Sequence, residues 1–265
     1  EALGIPVPKT IAFDKSITYS YLNIELGSDI IAKPVVGSGS RGIFRIKSEI
    51  DFENFIKKKE SSEYILQQFI PNGGAIGVYS LYKRGKLVAR SCHLRLREYP
   101  LSGGPSTLRV SIRHEKCESL SARLLEHFKY DGVAMVEFRI SKFDKTPYLM
   151  EVNPRFWGSL ALDIFSGVDY PRLILSNYYN FLDKIKANRK LGIKCRWLFF
   201  GDILWFFSHP NKIESLNKFL SFRNQYFDIL DFKDPLPVLG MFAEAFISLF
   251  SKETRKHIFD RGFNS

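Results

Sequence analysis

The sequence predicts an α+β fold of antiparallel strands with flanking helices, and three observations carry that expectation. Residues 133–155 read VAMVEFRI, a polar link SKFDKTP and YLMEVNPR, two apolar, β-branched arms around a turn. The stretches around 29–47 and 64–98 break into short alternating runs separated by glycine-bearing turns. Residues 48–59 and 119–128 carry apolar residues at helical spacing between those strands.

Taken in order, residues 1 to about 30 give an extended, proline-containing entry and a short strand around Thr10–Phe13. The next strand, 29–37, runs into Gly37-Ser38-Gly39-Ser40-Arg41-Gly42. That string matches GxGxxG, but IFRIK follows and alternates like a strand where the dinucleotide fingerprint requires a helix. A Walker loop is excluded because no GK[ST] follows. What remains is a flap between two strands whose N–H groups can wrap phosphate oxygens, with Lys33 and Arg41 as point charges, or else a turn with no ligand. The helix expected over 48–59 ends in Lys57, Lys58 and Lys59, which suits its C-terminal dipole. Residues 64–75 read as a strand leaving into a loop, and a second strand follows at 77–85. In the run 86–100, alternation would put His93, Arg95 and Arg97 on one face, lining a basic cleft or facing solvent. SGGPSTLR, 102–109, reads as a small-residue loop ending in an arginine fit for an anion. The helix at 119–128 should bury Leu120, Leu124, Leu125 and Phe128 and expose His127. Residues 156–180 should be largely helical, broken by Gly167 and Pro171.

The chemistry concentrates in the hairpin. With its turn centred near Asp144, Glu137 and Glu151 fall opposite each other, seven positions away on either side. Like charges across a strand pair repel, so the arrangement asks for a proton or a cation between them. Asn153 shares the face of Glu151 by the period-two rule and adds a third oxygen. Two carboxylates and an amide suit Mg²⁺ or Mn²⁺ better than zinc. Arg155 follows on the same parity, a cation fit for phosphate or carboxylate. The hairpin alone leaves a second reading open, in which Glu137 pairs with Arg139 and Glu151 with Arg155 on a solvated face.

Composition sets wide bounds. The 265 residues, 45% of them hydrophobic and 24 of them Phe, can fill a globular core in one large or two smaller domains. The net charge of +11 admits nucleic acid, a membrane surface or an enzyme of anionic substrates. Cys92, Cys117 and Cys195 lie far apart with no CxxC, which points away from disulfides and zinc and toward a cytoplasmic setting. No signal peptide is visible, and the apolar run 236–250 contains Glu244 and is short for the roughly 20 residues of a membrane span. The opening EALGIPVP reads like the middle of a protein, so an upstream domain is expected. Residues 186–265 crowd Trp197, Phe199, Phe200, Trp205, Phe206 and Phe207 around Asp202, then set Phe242, Ala245, Phe246, Leu249 and Phe250 at helical spacing. Such a tail can pack on the main domain, hold a partner or lie on a membrane.

Four separated stretches, IIAKPVVGSGSRG, LQQFI, SGGPSTLR and MEVNPRFWGS, together resemble the ATP-grasp superfamily, and within it the predicted carboxylate–amine ligase branch related to the ATP-binding halves of carbamoyl phosphate synthase. The resemblance covers about residues 1–185, and the tail motifs Arg196-Trp197, Gly201-Asp202 and Asp234-Pro235-Leu236-Pro237 also resemble that branch. It implies two antiparallel sheets sandwiching a nucleotide, with a lid subdomain at 1–66, a metal and catalytic subdomain at 67–185 and an aromatic-rich, mostly helical extension at 186–265. By matching position it implies ATP as substrate, phosphate contacts from Lys33 and the flap Ser38, Gly39, Ser40, Arg41 and Gly42, and an adenine-reading hinge at Gln68, Phe69 and Ile70. Glu137, Glu151 and Asn153 would hold Mg²⁺ or Mn²⁺, and Arg155 would face the transferred phosphoryl group; for such a reaction Arg97 and Arg109 are the candidates to grip the substrate carboxylate. The activity implied is an ADP-forming ligase joining small-molecule carboxylate and amine, with no nucleic acid partner. A non-catalytic ATP-binding module, needing a missing N-terminal domain, a partner or a homo-oligomer, is the alternative. Two departures stand out: Pro71-Asn72-Gly73-Gly74-Ala75 lacks the acid that many members use on the ribose, and the first phosphate-binding cation of the family would precede this chain.

Overall fold

The computed structural model of the chain describes residues 2–36, 42–58, 63–101, 103–179, 186–222, 224–231 and 233–250, without the side chains of 58, 245 and 248–250. Ser38, Gly39, Ser40 and Arg41 of the expected flap lie outside the described residues, as does Ser102.

In chain order come β1 (Thr10–Ala12), α1 (Tyr19–Leu26), β2 (Ile30–Pro34), β3 (Phe44–Ile46), α2 (Glu49–Lys58) and β4 (Tyr64–Gln68). Then follow β5 (Asn72–Lys83), β6 (Lys86–Glu98), β7 (Ser106–Ser111), α3 (Glu115–His127), β8 (Gly132–Ser141) and β9 (Pro147–Asn153). The remainder is α4 (Leu160–Phe165), α5 (Tyr170–Tyr178), β10 (Lys194–Arg196), α6 (Ile203–Ser208), α7 (Lys212–Phe219), β11 (Gln225–Phe227) and α8 (Leu236–Phe250).

The described residues form two compact units. The smaller comprises Pro8–Ile70, Pro100–Pro105 and Leu230 onward. Its sheet has the antiparallel order β1-β4-β2-β3. Alternation in β2 turns Ile30 and Ala32 inward, where they meet Leu22 and Leu26 of α1, Phe52 and Phe55 of α2, and Leu66. Thr18 caps α1, its hydroxyl accepting from the Tyr21 N–H at 3.3 Å, and Gly27 ends it at φ +89°.

The larger unit comprises the residues up to Val7, Pro71–Tyr99 and Ser106–Ile229. Seven strands run in the order β11-β10-β7-β6-β5-β8-β9, antiparallel except for the parallel β10–β11 pair. One face packs Ile76, Val78, Cys92, Val136 and Phe138 against Cys117, Leu120 and Leu125 of α3. The opposite face packs Tyr79, Leu81, Ala89 and Met135 against Trp157, Val168, Tyr170 and Leu173. Among the described residues no helix is long and apolar enough to cross a membrane.

Several local expectations change. Arg109 stands in β7, not in a loop, because Ser106–Ser111 pairs with both β6 and β10. Phe128 follows α3 and is 68% exposed, off the buried stripe. Pro171 sits in the first turn of α5, where its missing N–H costs nothing, and so starts a helix that was expected to break there. The tail does not stand apart: β10 and β11 extend the larger sheet, while α8 belongs to the smaller unit.

Candidate functional site

Glu137 and Glu151 are direct cross-strand partners in β8 and β9. The row continues through Gly77 of β5 to His93 of β6, so Glu151, Glu137, Gly77 and His93 stand side by side on one face. In the next row Asn153 pairs with Met135, Met135 with Tyr79, and Tyr79 with Ser91. A register slip after Glu137, where Phe138 pairs with Leu149, leaves Met150 as the extra residue of a bulge beside the acids. A Cβ at Gly77 would fall 2.6 Å from Cζ of the Tyr79 phenol, so any side chain there forces that ring to shift.

The acids are embedded in a charge cluster. The Arg95 guanidinium donates from Nη2 to Oε2 of Glu137 on the far side of β5, and its Nη1 stands 3.9 Å from Oε2 of Glu98. Burial pushes the Glu137 carboxyl above its ordinary value; Arg95 opposes that and Glu151 adds to it. Burial likewise raises Glu98, against the pull of Arg95 and Arg139. Burial pulls Arg95 down, but Glu137, Tyr79, Glu98 and Glu151 together hold it above the usual guanidinium value. Asn153 donates to Oε1 of Glu151 at 2.7 Å, and Arg155 donates to Oδ1 of Asn153 at 3.2 Å and to the Phe156 carbonyl at 2.9 Å. Glu137, Glu151, Asn153 and Arg155 therefore form one connected group. Neither ion pair of the solvated-face reading is the one formed by Glu137, which takes Arg95 in place of Arg139.

Beneath this group lies a buried floor. Asp163, fully buried, accepts from Ser91, from His93 Nε2 at 2.8 Å (with the tautomer that puts the proton there) and from Trp157 Nε1 at 2.7 Å. Tyr79 packs on both His93 and Trp157, with ring centroids 4.2 and 4.5 Å away. Asp163 thereby pins Trp157 only two residues beyond Arg155.

His93, Arg95 and Arg97 do not act as one basic face. An irregularity in the β6–β7 register between Arg95 and Arg97 breaks the alternation, and the three find three different acids. Arg97 donates to Oδ2 of Asp202 at 2.5 Å and to the Lys218 carbonyl, with its guanidinium 4.4 Å from the Trp205 ring. Arg109 is 2% exposed and pairs with Asp228. Both arginines expected to grip a substrate carboxylate are instead committed to aspartates of the tail. A buried guanidinium gives up such a pair only at a cost of several kcal/mol, roughly 3–5. Arg196, also fully buried, shares Asp202 at 2.6 Å.

The remaining expected contacts belong to the smaller unit. Lys33 lies half-buried on β2 opposite Ile65, and Gly42 adopts φ +69°. At the expected hinge, Gln68 N–H donates to the Lys9 carbonyl at 2.9 Å and Phe69 N–H to the Asp29 carbonyl at 3.1 Å. Ile70 is buried, and Arg45, paired with Asp29, lies 4.0 Å from the Phe69 ring. The Gln68 and Phe69 amides are thus used within the fold.

Among the described residues no group of three or more His, Cys, Asp and Glu side chains gathers as a metal site. The donor set at the hairpin is two carboxylates and one amide. Hard oxygen donors of that number fit a divalent cation that keeps water or substrate oxygens as its other ligands. The burial-raised Glu137 beside Glu151 is the kind of repulsion such a cation relieves. Sequence reasoning missed Arg95, Glu98 and Asp163 as members of the cluster; the alternation of charge in 93–97 was the available signal.

The family model described as ATP-grasp in the biosynthetic pathway with Ter operon matches residues 82–198. Among solved structures, carboxyaminoimidazole ribonucleotide synthase from Aspergillus clavatus complexed with ATP is 16% identical, covers 66% of this chain and 48% of its own, and gives a TM-score of 0.54. The biotin carboxylase domain dimer of Hydrogenobacter thermophilus 2-oxoglutarate carboxylase, in complex with MgADP, ADP and bicarbonate, is also 16% identical, with coverages of 73% and 46% and a TM-score of 0.57. Biotin carboxylase from Campylobacter jejuni, as a β-γ-ATP complex, is 17% identical, with coverages of 73% and 47% and a TM-score of 0.58. The chain spans about half the length of each of these three. Among curated proteins none matches in sequence.

Proposed function

We propose that this chain, which has the ATP-grasp fold, is an ADP-forming ligase that joins a carboxylate to an amine through an acyl phosphate. The observation that carries the reading is the register that sets Glu137 opposite Glu151 with Asn153 bonded to the latter. Glu137, Glu151 and Asn153 would hold Mg²⁺ (or Mn²⁺), which when bound supplies positive charge to the phosphates. Arg155, exposed and next to Asn153, is free to swing its guanidinium toward a transferred phosphoryl group. Lys33 and residues 38–42 are proposed phosphate contacts, and Gln68–Ile70 the adenine contact, on the strength of the sequence.

The difficulty of the reaction is that one anion attacks another. A pair of unit charges 4 Å apart repels by about 4 kcal/mol at an effective dielectric of 20. Residues that hold cations in place before the reaction remove that barrier term without reorganising. A carboxylate oxygen of the substrate then bonds to the γ-phosphorus as its bond to the bridging oxygen breaks, and ADP departs with the electron pair. The amine nitrogen next attacks the acyl carbon, phosphate leaves, and the nitrogen loses a proton to solvent. With Arg97 and Arg109 committed to Asp202 and Asp228, the grip on the substrate carboxylate falls to groups other than these two.

ADP release from Mg-ATP, measured over a panel of acids and amines, tests the reading. Wild type should release ADP only when an acid is present, and Glu151→Gln should lower that rate by about 100-fold or more, the scale for losing one preorganised charge at the phosphates. Equal rates in the two proteins would exclude it. A second reading, a nucleotide-binding module without turnover, is favoured by the commitment of Arg97 and Arg109 to internal pairs. Tight ATP binding with no ADP formed under any acid would select it.

A further inference from the structure

The acidic pair does not stand unneutralised. Its guanidinium neighbour divides a two-pronged fork between two acids, Nη2 on Glu137 and Nη1 toward Glu98 at 3.9 Å. The side chains of Arg95, Glu98 and Glu137 are 21%, 16% and 14% exposed, shielded enough for their charges to matter to one another. Among the described residues, Glu98, Glu137 and Glu151 bring three negative charges near Arg95 and Arg139, while Arg155 is turned to Asn153 and Phe156. Arg95 reaches Glu137 across β5, from two residues beyond the His93 that stands opposite Gly77. The oxygen it takes belongs to the carboxylate that a cation bound at Glu137 and Glu151 would need.

We propose that Arg95 is a displaceable counter-ion: it neutralises Glu137 when no cation is bound and passes to Glu98 when a divalent cation takes Glu137. The inference rests on the reading of Glu137 and Glu151 as cation ligands, and goes beyond it by assigning Arg95 as the competitor and Glu98 as the receiver. Cation affinity is then set by how readily the fork turns from one acid to the other. The chain resists a lone cation and favours one whose phosphate-bearing partner rewards the displacement. Arg95 and Glu98 act through Glu137 and are positioning residues.

The test is titration of the full chain with Mn²⁺ alone at pH 8, followed by electron paramagnetic resonance of the free ion, with thermal unfolding as the check on folding. Wild type should bind weakly and Glu151→Gln more weakly still, which reports on the cation reading itself. Arg95→Met should tighten Mn²⁺ by about tenfold, the effect of shifting a neighbouring charge equilibrium by roughly one pKa unit. Glu98→Gln should loosen it several-fold in the wild-type background, because the acid that receives the displaced guanidinium is gone, yet change little when added to Arg95→Met. If Arg95→Met leaves affinity unchanged or weakens it, Arg95 is no competitor. Should Arg95→Met fail to fold, Glu98→Gln decides alone: unaltered affinity overturns the exchange. An equal loss from Glu98→Gln in both backgrounds means that Glu98 acts through space, which also overturns it. If Mn²⁺ binding is absent in wild type, or is indifferent to Glu151→Gln, the cation reading fails and the proposal with it.

Discussion

Glu137 bears opposing demands within a single side chain. Burial and the facing Glu151 lift its carboxyl above the ordinary 4.5, although Arg95 pulls the other way. A carboxyl raised in the folded state binds its proton more tightly there than in the unfolded chain. Its contribution to stability is therefore complete below about pH 4.5 and drains away as pH rises through the folded value. Glu137→Gln, which imitates the protonated form, should melt higher than wild type in metal-free buffer at pH 7, and the gap should close on acidification toward pH 4.5. A gap that widens in acid would reverse the assignment. At Gly77 the demand is steric: Gly77→Ala pushes a methyl onto the Tyr79 ring and should destabilise by roughly 1–3 kcal/mol in a denaturant titration, the range for overpacking.

At the scale of elements, the tail strand β10 and the turn that follows it are fastened by arginines that the sequence offered to a substrate. Asp202 is fully buried and serves Arg97, Arg196 and the Thr107 hydroxyl, the last at 2.9 Å. Asp202→Ala leaves two interior guanidiniums without their acid and should cost about 3–5 kcal/mol. A loss under 1 kcal/mol in urea unfolding would show that Arg97 is free for another role. These pairings also mark where the sequence stops being legible. The β8–β9 hairpin could be read because both arms alternate and the turn is polar. Its register, however, centres between Phe143 and Asp144, and Glu137 meets Glu151 only because Met150 bulges out, which no sequence pattern announced. Arg97 and Arg109 could not, since their partners stand 105 and 119 residues away and no local pattern announces them. Arg95 is an intermediate case: its charge alternation was visible, but its reach to Glu137 needs the strand order β6-β5-β8.

At the scale of the whole molecule, the net charge of +11 fits three kinds of partner, and only the hairpin distinguishes among them. A nucleotide ligand stabilises the folded state by mass action, about 2.7 kcal/mol at a hundred times its dissociation constant. A surface that binds nucleic acid would instead lose affinity steeply with salt and ignore ATP. The central claim is that Glu137 and Glu151 are tolerated face to face because a divalent cation carrying nucleotide phosphates neutralises them. The direct measurement is calorimetric titration of ATP into wild type and Glu151→Gln, each with Mg²⁺ and with EDTA. Wild type should bind ATP at least about tenfold more tightly with Mg²⁺, a difference of roughly 1.4 kcal/mol, and Glu151→Gln should lose that dependence. The same dependence on Mg²⁺ in both proteins would contradict the claim.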